Sequence, residues 1–165
     1  MSDVAPGWPL RVQESTDNHW VAICRDLVLV FAYEGSHDDV GHVHATTRAI
    51  DSVHRQFGAP SKLLFVLPPL HSKPPDARVR NAISQAAKRS DGRVARAAVV
   101  VAGTGFAAAV HRGAVAGILA LLRPKVPVRV VGNAREALAH LLGDHGDALD
   151  ALTKLCEDRV RSRQA

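Results

Sequence analysis

Nine histidines and a few hydroxyls are the groups from which chemistry would have to start in this chain. His37, His44 and Asp51 fall at seven-residue steps, and side chains so spaced share one helix face. Each step climbs about 10 Å along the axis, too far for the three to share an ion. No two of His37, His42 and His44 stand at the i, i+4 spacing of helical metal ligands, so the group reads as a solvated polar face. His54 falls on the apolar stripe of the same segment and reads as a boundary or core histidine. His71 and Ser72 sit side by side in a turn crowded by Pro68, Pro69, Pro74 and Pro75. A histidine next to a hydroxyl is raw material for nucleophilic catalysis, but no carboxylate is placed to orient the pair. Gly103-Thr104-Gly105-Phe106 could present backbone N–H groups to an anion at a helix start. It lacks the third glycine and the downstream acid of a dinucleotide fingerprint, and a tight turn explains it better. The expectation is a protein that is not an enzyme, with no catalytic residue, no metal and no cofactor.

The elements that would carry these residues follow from periodicity. Residues 1–18 contain Pro6, Gly7 and Pro9 and read as an N-terminal arm with Trp8 its one large apolar anchor. His19 to Arg25 and Leu27 to Tyr33 are two β-rich runs joined by a tight turn, a hairpin. Ser36 and Asp39 have capping-box spacing, predicting a helix from there that stops at Gly58. Lys62 to Leu67 and Val94 to Ala102 are unbroken apolar runs, as in strands covered on both faces. A helix over about Pro75 to Arg89 lies between them. Gly105 to Leu122 is a third helix after Thr104 as N-cap, Val128 to Val131 a last strand, and Asn133 caps a helix over Ala134 to Leu142. A polar amphipathic tail, Asp147 to Arg163, ends the chain. Strand and helix alternate after the hairpin, so the fold class is α/β: a mostly parallel sheet with an antiparallel edge hairpin, helices packed on it, and an extra C-terminal helix. The organisation expected is an arm at 1–18, one domain at 19–142 and a helical tail at 143–165.

The third helix is apolar all round. At 100° per residue, Ala108, Val115, Leu119 and Leu122 fall on one side and Phe106, Val110, Gly117 and Leu121 on the other, with His111 and Arg112 its polar interior positions. A peripheral helix needs one apolar stripe, so the second must meet something. Leu149, Leu152, Leu155 and Cys156 of the tail could cover it, a second copy could, or a lipid-like ligand could. Val110, Val115, Leu119 and Leu122 are the candidate self-association or ligand face, and Gly113 and Gly117 would allow close helix approach.

Charge narrows the remaining classes. The 165 residues carry a formal +5, but residues 62–135 hold 13 basic and 2 acidic side chains, a net +11 between flanks of −4 and −2. Arg78, Arg80, Lys88, Arg89, Arg93 and Arg96 could form one surface, the electrostatic footprint of an acidic partner or nucleic acid. Only Phe65 and Phe106 are aromatic in that segment, and neither stands in a stacking pattern, which argues against nucleic acid and for a protein partner with an acidic surface. Two cysteines, Cys24 and Cys156, are too few for a disulfide framework. The longest apolar run, Ala97 to Val110, is too short for a membrane span. The first ten residues lack a signal-peptide pattern, so a cytoplasmic location is expected.

The hairpin closing in Tyr33-Glu34-Gly35, the Leu63-Leu64-Phe65-Val66-Leu67 strand, the Ala97 to Ala102 strand running into Gly103-Thr104-Gly105-Phe106, and Pro127 to Val131 ahead of Ala134-Arg135-Glu136-Ala137-Leu138 together resemble the STAS-like proteins, relatives of the anti-sigma-factor antagonists, over about residues 19–142. The resemblance implies an interaction or small-ligand module without catalysis, of bacterial signalling type. In the antagonists a phosphorylatable serine after the central strand switches partner binding. The counterpart turn here has neither the Asp nor the Gly of that motif, and Ser72 is its one hydroxyl. The function expected is a STAS-like regulatory module that binds an acidic protein partner and self-associates as a homo-oligomer. The alternative is a small-ligand or lipid carrier with an apolar pocket beside residues 105–122.

Overall fold

The computed structural model describes residues 2–33, 36–67, 75–103, 105–122, 125–143 and 146–162. In chain order the elements are β1 (Ser2–Ala5), β2 (Trp8–Ser15), β3 (His19–Cys24), β4 (Leu27–Ala32), α1 (Gly41–Phe57), β5 (Ser61–Leu67), α2 (Ala77–Arg89), β6 (Val94–Val101), α3 (Gly105–Leu122), β7 (Val128–Val131), α4 (Ala134–Leu142) and α5 (Gly146–Arg161). One seven-stranded sheet takes the strands in sequence order. β1 to β4 pair antiparallel and β4 to β7 parallel, so the α/β class with an antiparallel edge holds.

The N-terminal residues correct the sequence reading. Instead of an arm, β1 and β2 extend the hairpin to four antiparallel strands, turning at Gly7 with φ 74°. The alternation Trp8, Leu10, Val12 was present but diluted by Pro9 and by a register shift between Val12 and Glu14, which leaves Val12 half exposed. Trp8 is buried, with the Arg25 guanidinium 4.9 Å from its ring centroid.

β3 and β4 form the centre because every one of their side chains is buried. Period-two alternation sorts them into two cores. Val21, Ile23, Val28 and Val30 face α1, meeting Ala45, Ala49, Ile50 and Val53. Trp20, Ala22, Cys24, Leu27, Leu29 and Phe31 face the other way, toward α4 and α5. Trp20 meets Phe31 edge-on, with ring centroids 5.5 Å apart at 75°. Right-handed crossovers in a sheet of sequential order place α2 and α3 on the side of α1. The strand-to-helix turn after β7 sends α4 to the opposite side, where α5 follows it.

Helix starts reveal a second correction. Ser36 and Asp39 do not form a capping box. α1 begins four residues later than such a box would set it, after Val40, with Asp39 Oδ1 accepting the Gly41 N–H at 2.8 Å. The carboxylate is drawn away because Asn18 Nδ2 also donates to its other oxygen at 3.3 Å. Gly58 closes α1 in the left-handed conformation, and α2 starts at Ala77 with Asp76 as its cap, accepting from Val79 N at 2.8 Å. Asn133 caps α4 as its sequence position foretold. Thr104 lies outside the described residues.

Candidate functional site

Three places gather groups that could act. The first is a cluster no sequence spacing announces. His19 opens β3 and is 2% exposed. Its Nε2 lies 2.9 Å from Glu14 Oε1 on β2, and its Nδ1 lies 3.5 Å from Asp39 Oδ2 and 3.1 Å from Thr16 Oγ1. Arg48 of α1 binds the other Glu14 oxygen. His42, 4% exposed, sits 6.4 Å from the His19 ring and meets Phe65 edge-on at 5.9 Å. Burial holds the His42 pKa below its ordinary value, so the ring is biased to neutrality. The Gly41 N–H holds the Asp39 carboxyl below the carboxylate range. A Cβ at Gly41 would come within 2.9 Å of Asp39 Oδ1 and 3.0 Å of His19 Cε1, so a side chain there would push on both. These groups are close enough for proton transfer, yet both imidazoles are shielded from any reactant. The arrangement fastens the β2–β3 turn to the start of α1. The signal is tertiary: 25 residues separate Glu14 from Asp39.

The second place is the basic segment, and here the expected single surface comes apart. Arg78 Nε donates to Asp76 at 3.2 Å and Arg80 Nη1 to the Pro75 carbonyl at 2.6 Å, both at the start of α2. Arg93 pairs with Asp51 of α1. Arg96 points to the opposite side of the sheet, where its Nη1 donates to the His140 carbonyl of α4 at 3.2 Å. Lys88 and Arg89 remain exposed at the end of α2, their side chains making no hydrogen bond or ion pair among the described residues. The six cations are therefore not one patch. α2 separates them into two ends, and β6 turns Arg96 away from both because its side chains alternate.

The third place is α3. Ala108 is buried, and Val115 and Leu119 are half-buried on the same side of the helix. Phe106 is 86% exposed and Val110 56% exposed on the other. The four-residue face expected for association is thus split: Val110 belongs to the open side, Val115 and Leu119 to the inward side, and the Leu122 side chain lies outside the described residues, as does Ser72. The tail does not supply cover. Leu152 and Cys156 of α5 are buried with Trp20, Leu29 and Leu138 on the far side of the sheet, and Leu149 and Leu155 pack against that same cluster. Arg159 places its guanidinium 4.2 Å from the Trp20 ring centroid.

Beneath the start of α3, a cleft of about 610 Å³ opens beyond the carboxyl ends of β6 and β7, where α3 and α4 leave toward opposite faces. Crevices at such points are where open α/β sheets bind ligands. Its lining is Gly103, Gly105, Gly132, Val130, Val131, Arg112, Asn133 and Glu136. Arg112 already gives Nη1 to the Gly103 carbonyl at 3.1 Å, and Asn133 occupies the free Glu136 N–H of α4. The walls are polar and backbone-rich rather than lipid-like. Among the described residues no group of three His, Cys, Asp or Glu side chains could hold a metal ion, and no helix is long and apolar enough to cross a membrane. Set beside known protein families, curated proteins and solved structures, the chain matches none of them.

Proposed function

We propose that this chain is a non-enzymatic, STAS-like interaction module whose working surface is the open side of α3. The observation that carries the reading is an apolar helix with Phe106 86% and Val110 56% exposed, while the tail that could have covered it packs on the opposite face of the sheet. Isolated exposed apolar residues are ordinary, but a continuous apolar helix face on a folded domain marks an association surface. The buried position of His19 and His42 supports a structural rather than catalytic role for their cluster of titratable groups. The polar cleft lining supports association over lipid carriage. Lys88 and Arg89 at the end of α2 are the cations best placed for an acidic protein partner.

Two measurements test this together: the oligomeric state by light scattering, and affinity capture of partner proteins with Phe106→Asp or with Lys88→Glu and Arg89→Glu. The reading expects at least one kind of association to weaken tenfold or more in one of these variants. Association indifferent to both changes sinks it.

A further inference from the structure

Resting on that reading, we infer that the open face of α3 is occupied by the α3 of a second copy, packed antiparallel about a two-fold axis. At 100° per residue Phe106, Val110, Gly113 and Gly117 lie within a sector of about 60°, on one face. The large pair stands before the point between residues 111 and 112 and the two glycines after it. Both glycines are exposed, and a Cβ added at either meets nothing within 4 Å among the described residues, so the groove they leave is unfilled by them. Turning a second helix end for end about a point between residues 111 and 112 sets Phe106 over Gly117 of the second copy and Val110 over its Gly113. The same two contacts form in the other direction. A ridge and its matching groove on one helix are what an isologous interface requires, and a second copy supplies the complement without further adjustment.

Area and charge agree with this occupant. α3 is 18 residues long, about 27 Å by about 10 Å across, so its open face offers on the order of 500 Å² of accessible surface per copy. The pair would bury about 1,000 Å² in total, the lower bound for a specific interface and the range of weak, reversible dimers. No residue on this face carries a charge, and Arg112 points inward to the Gly103 carbonyl, so two chains of formal +5 meet there without opposing like charges.

The test uses the full chain with two single-cysteine substitutions, Phe106→Cys and Gly117→Cys, carried on differently tagged copies, mixed at high concentration and treated with a short bismaleimide; the mixed pair keeps its second Phe106-to-Gly117 contact. The native thiols do not compete, because Cys24 and Cys156 are buried and burial pushes their pKa values up to about 11 and about 12. The expected product is the mixed 106-to-117 dimer, with like-to-like products, whose thiols would stand about 16 Å apart along the helix axes, at least tenfold less abundant. Predominant 106-to-106 product means a parallel pair and overturns the proposed packing while self-association stands. A second variant, Gly113→Gln with Gly117→Gln, fills the groove with good helix formers. It should keep or raise the thermal midpoint while weakening dimerisation tenfold or more. A protein that stays monomeric at about 1 mM, a concentration at which even weak pairs form, overturns the proposal outright. If capture of another protein then still depends on Phe106, the interaction-module reading survives it; if not, both fall.

Discussion

Phe106→Ala is the sharpest single perturbation of this molecule. The ring is 86% exposed in the protomer, so its removal should leave the fold almost untouched, within about 0.5 kcal/mol as for surface substitutions generally. In a dimer each ring would withdraw roughly 150 Å² from water, worth about 4 kcal/mol at about 25 cal/mol/Å². Alanine keeps about a quarter of that, and ordering each ring costs about 1 kcal/mol, leaving a net loss of about 2 kcal/mol per ring. Two rings per dimer give about 4 kcal/mol, roughly a thousandfold in dissociation constant. A wild-type dimer of about 10 µM would then be unmeasurable below about 1 mM in the variant. Sedimentation equilibrium over a concentration series reads this directly, and a urea titration on the same samples confirms that the fold is unchanged. If Phe106→Ala dimerises like the wild type, the ridge is not the contact. If its unfolding midpoint drops instead, Phe106 belongs to the core and the reasoning fails at its first step.

Other consequences concern the frame that holds α3 and the histidine cluster. His42 has a folded pKa below its ordinary 6.5, so the unfolded chain takes up the proton first as pH falls. Its contribution to stability is complete above about pH 6.5 and is lost as pH falls below that, so urea midpoints should decline toward about pH 5.5, with a shallower slope in His42→Phe. His140 shifts in the same direction, by burial and then by Arg129 and Arg96, and should account for part of the remaining slope. A His42→Phe slope as steep as the wild type's removes His42 from the account. Gly41→Ala should cost about 1–3 kcal/mol, because the new methyl meets Asp39 and His19 at about van der Waals overlap; chemical denaturation finding no loss would mean the turn yields freely. Leu152→Ala, wholly buried where α5 meets the sheet, should cost about 2–5 kcal/mol and expose Trp20 to quenchers. Unchanged stability there would mean that α5 does not cap this core.

The sequence made the centre of the sheet legible because β3 to β6 are apolar runs whose character survives any packing detail. It also made Gly58 and Asn133 legible as helix ends, since a left-handed stop and a side-chain cap are local events. β1 and β2 were hidden for a physical reason: β1 is a four-residue edge strand, and β2 beside it carries Pro9 and Arg11, leaves one face largely exposed and shows its alternation over only three apolar residues. The six cations had the right composition for a patch, but whether Arg96 joins Arg89 is decided by which face of β6 it takes, and one residue of register reverses that. The His19 cluster could not be read at all, because Glu14, His19 and Asp39 meet only once β2 has paired with β3 and the turn after β4 has folded back on both. On α3 the pattern announced two apolar sides and could not say which was inward. Ala108 decides it, since it alone of the helix is fully buried among the described side chains.

The composition of α3 bears on this choice in a way that burial does not. Glycine inside a helix costs about 1 kcal/mol relative to alanine, and Gly113 and Gly117 stand in an open stretch where a methyl group meets nothing among the described residues. The protomer therefore carries about 2 kcal/mol of helix destabilisation that no contact among the described residues explains. A ligand sheltered on the inward side would gain nothing from glycines that point outward, and an acidic partner would seek charge that this face lacks. Close approach of another helix backbone is the physical return on such residues, and the Phe106 and Val110 ridge gives that approach its register. If Gly113→Ala with Gly117→Ala raised stability and strengthened dimerisation together, the glycines would be neutral filler and the ridge alone would define the surface. Opposite movement of the two quantities is what the groove requires.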